Sequence, residues 1–126
     1  MAEVKFYRCN HCGNIVAVIN DAKVPMSCCG ERMELLQAGS VDAAAEKHVP
    51  AVTRNGDSLV VRVGSVDHPM VDVHYIEWVA VATENALQLA YLKPGQEPTA
   101  SFVVPADQSV TVYAYCNLHG LWKAEA

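Results

Sequence analysis

The sequence predicts a mainly β chain built as a small metal-held knuckle followed by a larger antiparallel sandwich or small barrel. Three observations predict it. Four of the five cysteines fall within the first thirty residues, in two tight pairs. From residue 51 onward, short apolar runs alternate with turn residues and no helical period interrupts them. Four of the five histidines, together with the fifth cysteine, belong to that second region or to its lead-in.

The composition narrows the function classes. A chain of 126 residues is one ordinary domain, or a small module joined to a larger one. Nine basic against fourteen acidic residues, a net charge of −5, argue against a nucleic-acid partner, whose surface demands clustered Lys and Arg. The longest uncharged apolar stretch, "WVAVAT", is far too short to cross a bilayer, so no membrane partner is expected. The start "MAEVKFYRC" has no basic segment leading into an apolar run and no small-residue cleavage site. The expected location is therefore the cytoplasm. Thiols are kept reduced there, which makes clustered cysteines metal ligands or redox groups rather than disulfides.

Residues 1–37 form the first expected module. "EVKFYR" and "NIVAVI" are strand-like, "CNHCG" separates them, and "PMSCCGERMELL" follows. So little apolar surface cannot hold a fold by itself, and modules below roughly 40 residues need a metal, disulfides or a partner. Residues 38–126 form the second. In its lead-in, "QAGSVDAAAEKHVP", Ser40 is placed to cap a short helical turn through "VDAAAEK", and Pro50 makes Val49 extended. The β runs are "AVTRNGDSLVVRVGSV", "MVDVHYIEWVAVAT", "ALQLAYL", "ASFVVP" and "SVTVYAYC". Between or within them lie Asn-Gly, His-Pro, Lys-Pro-Gly and Pro-Ala-Asp turns. In the last run Val110, Val112, Ala114 and Cys116 share one face, and Ser109, Thr111, Tyr113 and Tyr115 share the other. Cys116 thus ends an inward face.

Cys9 and Cys12 form a C-x2-C pair, and Cys28 and Cys29 are adjacent. Four thiolates so spaced suit a tetrahedral metal, and zinc and iron both accept such a site. Gly13 and Gly30 follow the two pairs and free the backbone to turn its amides toward sulfur. His11 lies inside the first pair, where four sulfurs already complete the shell, and is expected to face solvent.

The second constellation is His48 in "EKHVP", His68 in "VDHPM", His74 in "VDVHYIEW", and Cys116 with His119 in "YCNLHG". His48 and His68 precede prolines closely and are expected in extended backbone. His74 is expected on a strand face with Ile76 and Trp78. Any one of these imidazoles can simply bond a carbonyl, but together they surround the only cysteine of the second module. Four neutral imidazoles and one thiolate are one ligand too many for structural zinc and one too few for an octahedral metal. A sixth position is then free for substrate. Imidazole suits iron, and an axial thiolate pushes electron density toward whatever binds opposite it. The rival reading is a blue-copper electron carrier, which also uses a strand-end cysteine and a nearby histidine in a β-sandwich. That site needs two histidines and usually a methionine soon after the second, and "HGLWKAEA" has none.

"YRCNHCGNIV" followed by "CCGERM" resembles the small iron proteins called desulforedoxins, in which the second cysteine pair is adjacent. The chain end to end resembles the desulfoferrodoxins, two-iron superoxide reductases, through that knuckle, "EKHVP", His68, His74 and "CNLHG". The resemblance implies a desulforedoxin-like module with iron on Cys9, Cys12, Cys28 and Cys29. It implies an immunoglobulin-like sandwich holding a second, square-pyramidal iron, with His48, His68, His74 and His119 in the plane and Cys116 axial. It also implies one-electron reduction of superoxide, with two protons, to hydrogen peroxide. An external donor, commonly rubredoxin, would restore the ferrous centre, and the assembly would be a homodimer. Two catalytic residues follow from the same resemblance: Glu46 coordinates the oxidised resting iron, and Lys47 guides the anion or orders a proton-donating water.

Overall fold

The computed structural model describes residues 3–126, so the first two residues of the expected 1–37 module lie outside it. The described residues divide into two compact units, Glu3–Gln37 and Ala38–Ala126.

The smaller unit holds β1 (Phe6–Arg8), β2 (Ile15–Ala17), β3 (Ser27–Cys28), β4 (Glu31–Arg32) and β5 (Glu34–Leu35). The antiparallel order β2-β1-β5 makes one sheet, and β3 pairs with β4 in a second. β1 and β2 fall inside the expected runs but are only three residues long, and β3 to β5 were not expected. Two-residue strands are too short to show alternation. They stop where the chain turns around its cysteines, with positive φ at Gly13 (84°), Cys29 (55°) and Gly30 (76°). Phe6 and Cys9 are the buried apolar side chains among the described residues of this unit. Two side chains are no core, so the sulfur cluster must do what packing cannot.

The larger unit contains α1 (Ala45–His48) and seven strands: β6 (Pro50–Asn55), β7 (Ser58–Val63), β8 (Ile76–Ala82), β9 (Leu87–Tyr91), β10 (Thr99–Val103), β11 (Thr111–Cys116) and β12 (Gly120–Glu125). One sheet has the order β10-β7-β6 and the other β12-β11-β8-β9, with every pair antiparallel. Their inner faces share one core: Leu59, Val61 and Val63 from β7, Phe102 from β10, Val79 and Val81 from β8, and Val112, Ala114 and Cys116 from β11. The mainly-β sandwich is the predicted class. β6 and β7 meet in a two-residue turn that Gly56 permits, with φ 59°.

Several expectations need correction. α1 is a single turn that starts at Ala45, its N-cap is Ala44 without a side-chain bond, and Ser40 caps nothing. His48 is its last residue and so is helical, because the proline restriction reaches only Val49, which is extended at φ −69°, ψ 123°. His74 lies not on a strand but in a turn closed by reciprocal bonds with Val71, both 3.0 Å. β8 begins at Ile76, and a register shift pairs Cys116 with Ile76 but Tyr115 with Trp78. The extra residue puts Ile76 in the core and sends Trp78 to the opposite face, where its ring stacks on Tyr115 at 5.5 Å. That opposite face is buried too: Thr111, Tyr113 and Tyr115 are 0%, 3% and 5% exposed. β12 was not expected. No helix among the described residues is long and apolar enough to cross a membrane.

Candidate metal centres

Cys9, Cys12, Cys28 and Cys29 bring their sulfurs within 4.8 Å of one another. The Cys12 and Cys28 sulfurs are 3.6 Å apart, and those of Cys28 and Cys29 are 3.9 Å apart. Sulfurs about 2.3 Å from one ion at tetrahedral angles are about 3.8 Å apart, so the donor set fits such an ion. The Cys12 amide donates to the Cys9 sulfur at 3.4 Å, and the Gly13 amide goes to the Cys9 carbonyl at 2.9 Å rather than to a sulfur. That first amide is the main reason the Cys9 thiol falls to about 6. Hydrogen bonding with the Cys12 side chain holds Cys29 up at about 12. Neighbouring sulfurs thus compete for negative charge, and only a cation lets all four be thiolates together. His11 is exposed.

In the larger unit the ring nitrogens of His48, His68, His74 and His119 and the sulfur of Cys116 also lie within 4.8 Å of one another. Three separate stretches supply them: α1, the loops leading into β8, and the β11 end with its turn. His48 Nδ1 donates to the Ala44 carbonyl at 2.7 Å, and His68 Nδ1 to the Pro69 carbonyl at 2.7 Å. Each bond fixes the tautomer and leaves Nε2 as an acceptor. Those two Nε2 atoms face each other at 3.1 Å. Two acceptors so close suit a cation shared between them. His119 Nδ1 stands 3.2 Å from His48 Nε2, and the buried Nε2 of His74 has no hydrogen-bond partner among the described residues. Nitrogens about 2.1 Å from one ion and at right angles are about 3.0 Å apart, so these spacings fit a shared ion.

The rings run round in the order His48, His68, His74, His119, with successive centroids 4.6, 4.6, 5.1 and 5.0 Å apart. Across the ring His48 and His74 are 6.4 Å apart, so the four imidazoles make a four-cornered array rather than a tetrahedron. The Cys116 sulfur lies 3.8 Å from His119 Nδ1 and is fully buried. Burial pushes His68 down to about 4 and lowers His48 and His74 as well, which keeps the imidazoles neutral. Burial raises the Cys116 thiol, while the Leu118 and His119 amides favour its thiolate. Glu46 and Lys47 are exposed on α1 directly before His48, and the Lys47 charge opposes protonation of both His48 and His74.

Sequence reasoning missed three residues that shape this centre. The Trp122 ring lies 4.9 Å from that of His48, and its Nε1 donates to the His119 carbonyl at 3.0 Å. Gly64 packs against the backbone of α1 so closely that a Cβ there would stand 2.7 Å from the Glu46 carbonyl and 2.8 Å from that of Val49. Asn117 joins the two loops that carry His74 and Cys116. A pattern was available for Trp122 alone: in "LWKAE", Trp122 and Ala124 alternate with Lys123 and Glu125 as in a strand with one face inward.

The Desulfoferrodoxin family matches residues 40–125, and Desulfoferrodoxin, N-terminal domain matches residues 2–36. A desulfoferrodoxin homolog from Archaeoglobus fulgidus is 46% identical over 125 residues, spanning 98% of this chain and 99% of its own length. Among solved structures, the superoxide reductase from Treponema pallidum covers 97% of both chains at 33% identity, with a TM-score of 0.79. A second, Superoxide reductase (1Fe-SOR) from Giardia intestinalis, covers 64% of this chain and 97% of its own at 31% identity and a TM-score of 0.57.

Proposed function

This chain belongs to the desulfoferrodoxin family, and from that premise we propose that it is a superoxide reductase, reducing superoxide by one electron and two protons to hydrogen peroxide. The observation that carries the reading is the four-cornered array of imidazoles beside one buried cysteine, with the Nε2 atoms of His48 and His68 facing each other at 3.1 Å. The family binds iron at both kinds of centre, and both the four-cysteine group and the group of four histidines and one cysteine are present here. We assign Cys9, Cys12, Cys28 and Cys29 to the first iron, and His48, His68, His74, His119 and Cys116 to the second.

Iron held by the four imidazoles and the thiolate would supply a one-electron reductant for a small anion. The chain's own residues set the conditions. The Ala44 and Pro69 carbonyls hold His48 and His68 in the tautomer whose Nε2 is free. The raised Cys116 thiol yields its proton when the cation binds, helped by two backbone amides. Lys47 adds positive charge one residue before a proposed ligand, which would draw the anion or order a proton-donating water. Glu46 offers the carboxylate that holds the oxidised resting centre. An external one-electron donor, rubredoxin in the reading from resemblance, restores the reduced state of a homodimer.

Iron quantitation and an absorption spectrum, followed by superoxide added to the reduced protein, test the proposal. One peroxide per superoxide without dioxygen is expected. Dioxygen release would indicate dismutation instead, and selective copper binding without reaction toward superoxide would replace this reading by an electron carrier.

A further inference from the structure

His74 differs from His48 and His68 in how it is held. His48 and His68 each lean on a carbonyl through Nδ1, and the His119 carbonyl accepts from Trp122. The hold on His74 is on its backbone. Its own amide and carbonyl bond Val71, and the residues on either side of it are gripped by Asn117. The Asn117 Oδ1 accepts from the Tyr75 amide at 3.0 Å, its Nδ2 donates to the Val73 carbonyl at 3.1 Å, and its backbone amide donates to the Tyr75 carbonyl at 3.2 Å. The carboxamide thus spans the peptide units around His74. Asn117 itself is the residue after Cys116 and two before His119. It is half-buried: its bond from the Tyr75 amide is partly shielded from water, and its bond to the Val73 carbonyl is exposed.

We propose that Asn117 is a positioning residue for the second centre, bolting the His74 turn to the Cys116–His119 turn so that an imidazole and the thiolate keep a fixed separation. The two turns are more than forty residues apart in sequence, and β8 reaches β11 through an irregular register between them. A bulged ladder is a loose ruler at this end. Both hydrogen bonds of the side chain are needed to define a rigid distance, because one bond leaves the turn free to pivot about it. The proposal rests on the assignment of iron to this centre given above.

The test is a set of two variants in the full iron-loaded chain. Removing an outer partner that orients a ligand typically weakens metal binding ten-fold or more, so in Asn117→Ala a chelator should strip iron from the histidine-rich centre at least about ten-fold faster than in the wild type. The sulfur-to-iron charge-transfer band should move, while the band of the four-cysteine centre stays in place. Asn117→Asp keeps the acceptor for the Tyr75 amide and loses the donor, so it should fall between the two. Wild-type release and an unmoved band in Asn117→Ala would overturn the proposal, as would equal loss of iron from both centres in both variants, which marks general unfolding. Where Asn117→Ala fails to fold, Asn117→Asp decides: wild-type release and band there overturn it. A wild-type chain with no iron band at the second centre would instead sink the functional reading on which this rests.

Discussion

Gly64 shows how a residue without a side chain can govern a metal centre. The α1 backbone carrying Glu46, Lys47 and His48 rests directly on it, and the Val66 amide bonds the Glu46 carbonyl at 2.9 Å. Gly64→Ala must push that backbone aside, since the clashing atoms are carbonyl oxygens rather than flexible side-chain ends. The expected cost is about 1–3 kcal/mol in thermal or urea unfolding of the larger unit, with faster iron loss at the histidine-rich centre. Unchanged stability and iron retention would show that α1 tolerates displacement. Lys47 illustrates charge at the same scale. A chain of net charge −5 repels superoxide at long range, but exposed charges beyond about 8 Å are largely screened at physiological salt, so the local charge governs capture. Lys47→Ile should slow the second-order reaction and flatten its salt dependence while iron stays bound. Glu46→Ala should alter the oxidised spectrum and leave capture fast. Pulse-radiolysis rates across a salt series check both, and a wild-type rate for Lys47→Ile at every ionic strength would reduce Lys47 to a solvated loop charge.

Among the elements, β7 gives Leu59, Val61 and Val63 to the core, all fully buried, and lies between β6 and β10 in its sheet. Leu59→Ala should therefore destabilise the sandwich by about 2–5 kcal/mol, read from the urea midpoint at unchanged m. A cost below about 1 kcal/mol would mean that the core collapses around the gap. The strands from β6 to β11 were legible because Leu59, Val61 and Val63, or Val112, Ala114 and Cys116, alternate with residues of the other face. Of the proposed ligands, C-x2-C, the adjacent cysteines and C-x2-H were legible as spacings, whereas His48, His68 and His74 were legible only as histidines gathered with the one cysteine of their region. The bulge at β8 was not legible, since one extra residue leaves no mark on an apolar run, and it misplaced Trp78; His74 was misplaced because the strand starts only at Ile76. β12 was hidden by its place directly after a ligand turn. Asn117 and Gly64 act through contacts across the chain, with the Val73 carbonyl and the Glu46 carbonyl, and no local pattern encodes such a contact.

The two units divide the work of stability unequally. The Glu3–Gln37 unit buries Phe6 and Cys9 and has strands of two or three residues, so its fold depends on its metal, whereas the sandwich has a core of its own. Cys28→Ser should empty and unfold the smaller unit and leave the second centre's spectrum intact, as circular dichroism and iron content per centre would reveal. Loss of both irons in that variant would tie the centres together. The same division of ligands governs assembly in time. A chain made from its N-terminus has all four thiolates of the first centre once Cys29 is in place. The second centre must wait for His119, about ninety residues later, which at common synthesis rates is on the order of 5–20 s. Biogenesis is thus ordered by the chain itself: the first ligand set is complete while the protein is still being built, and the second is complete only when β11 and the turn after it have been made.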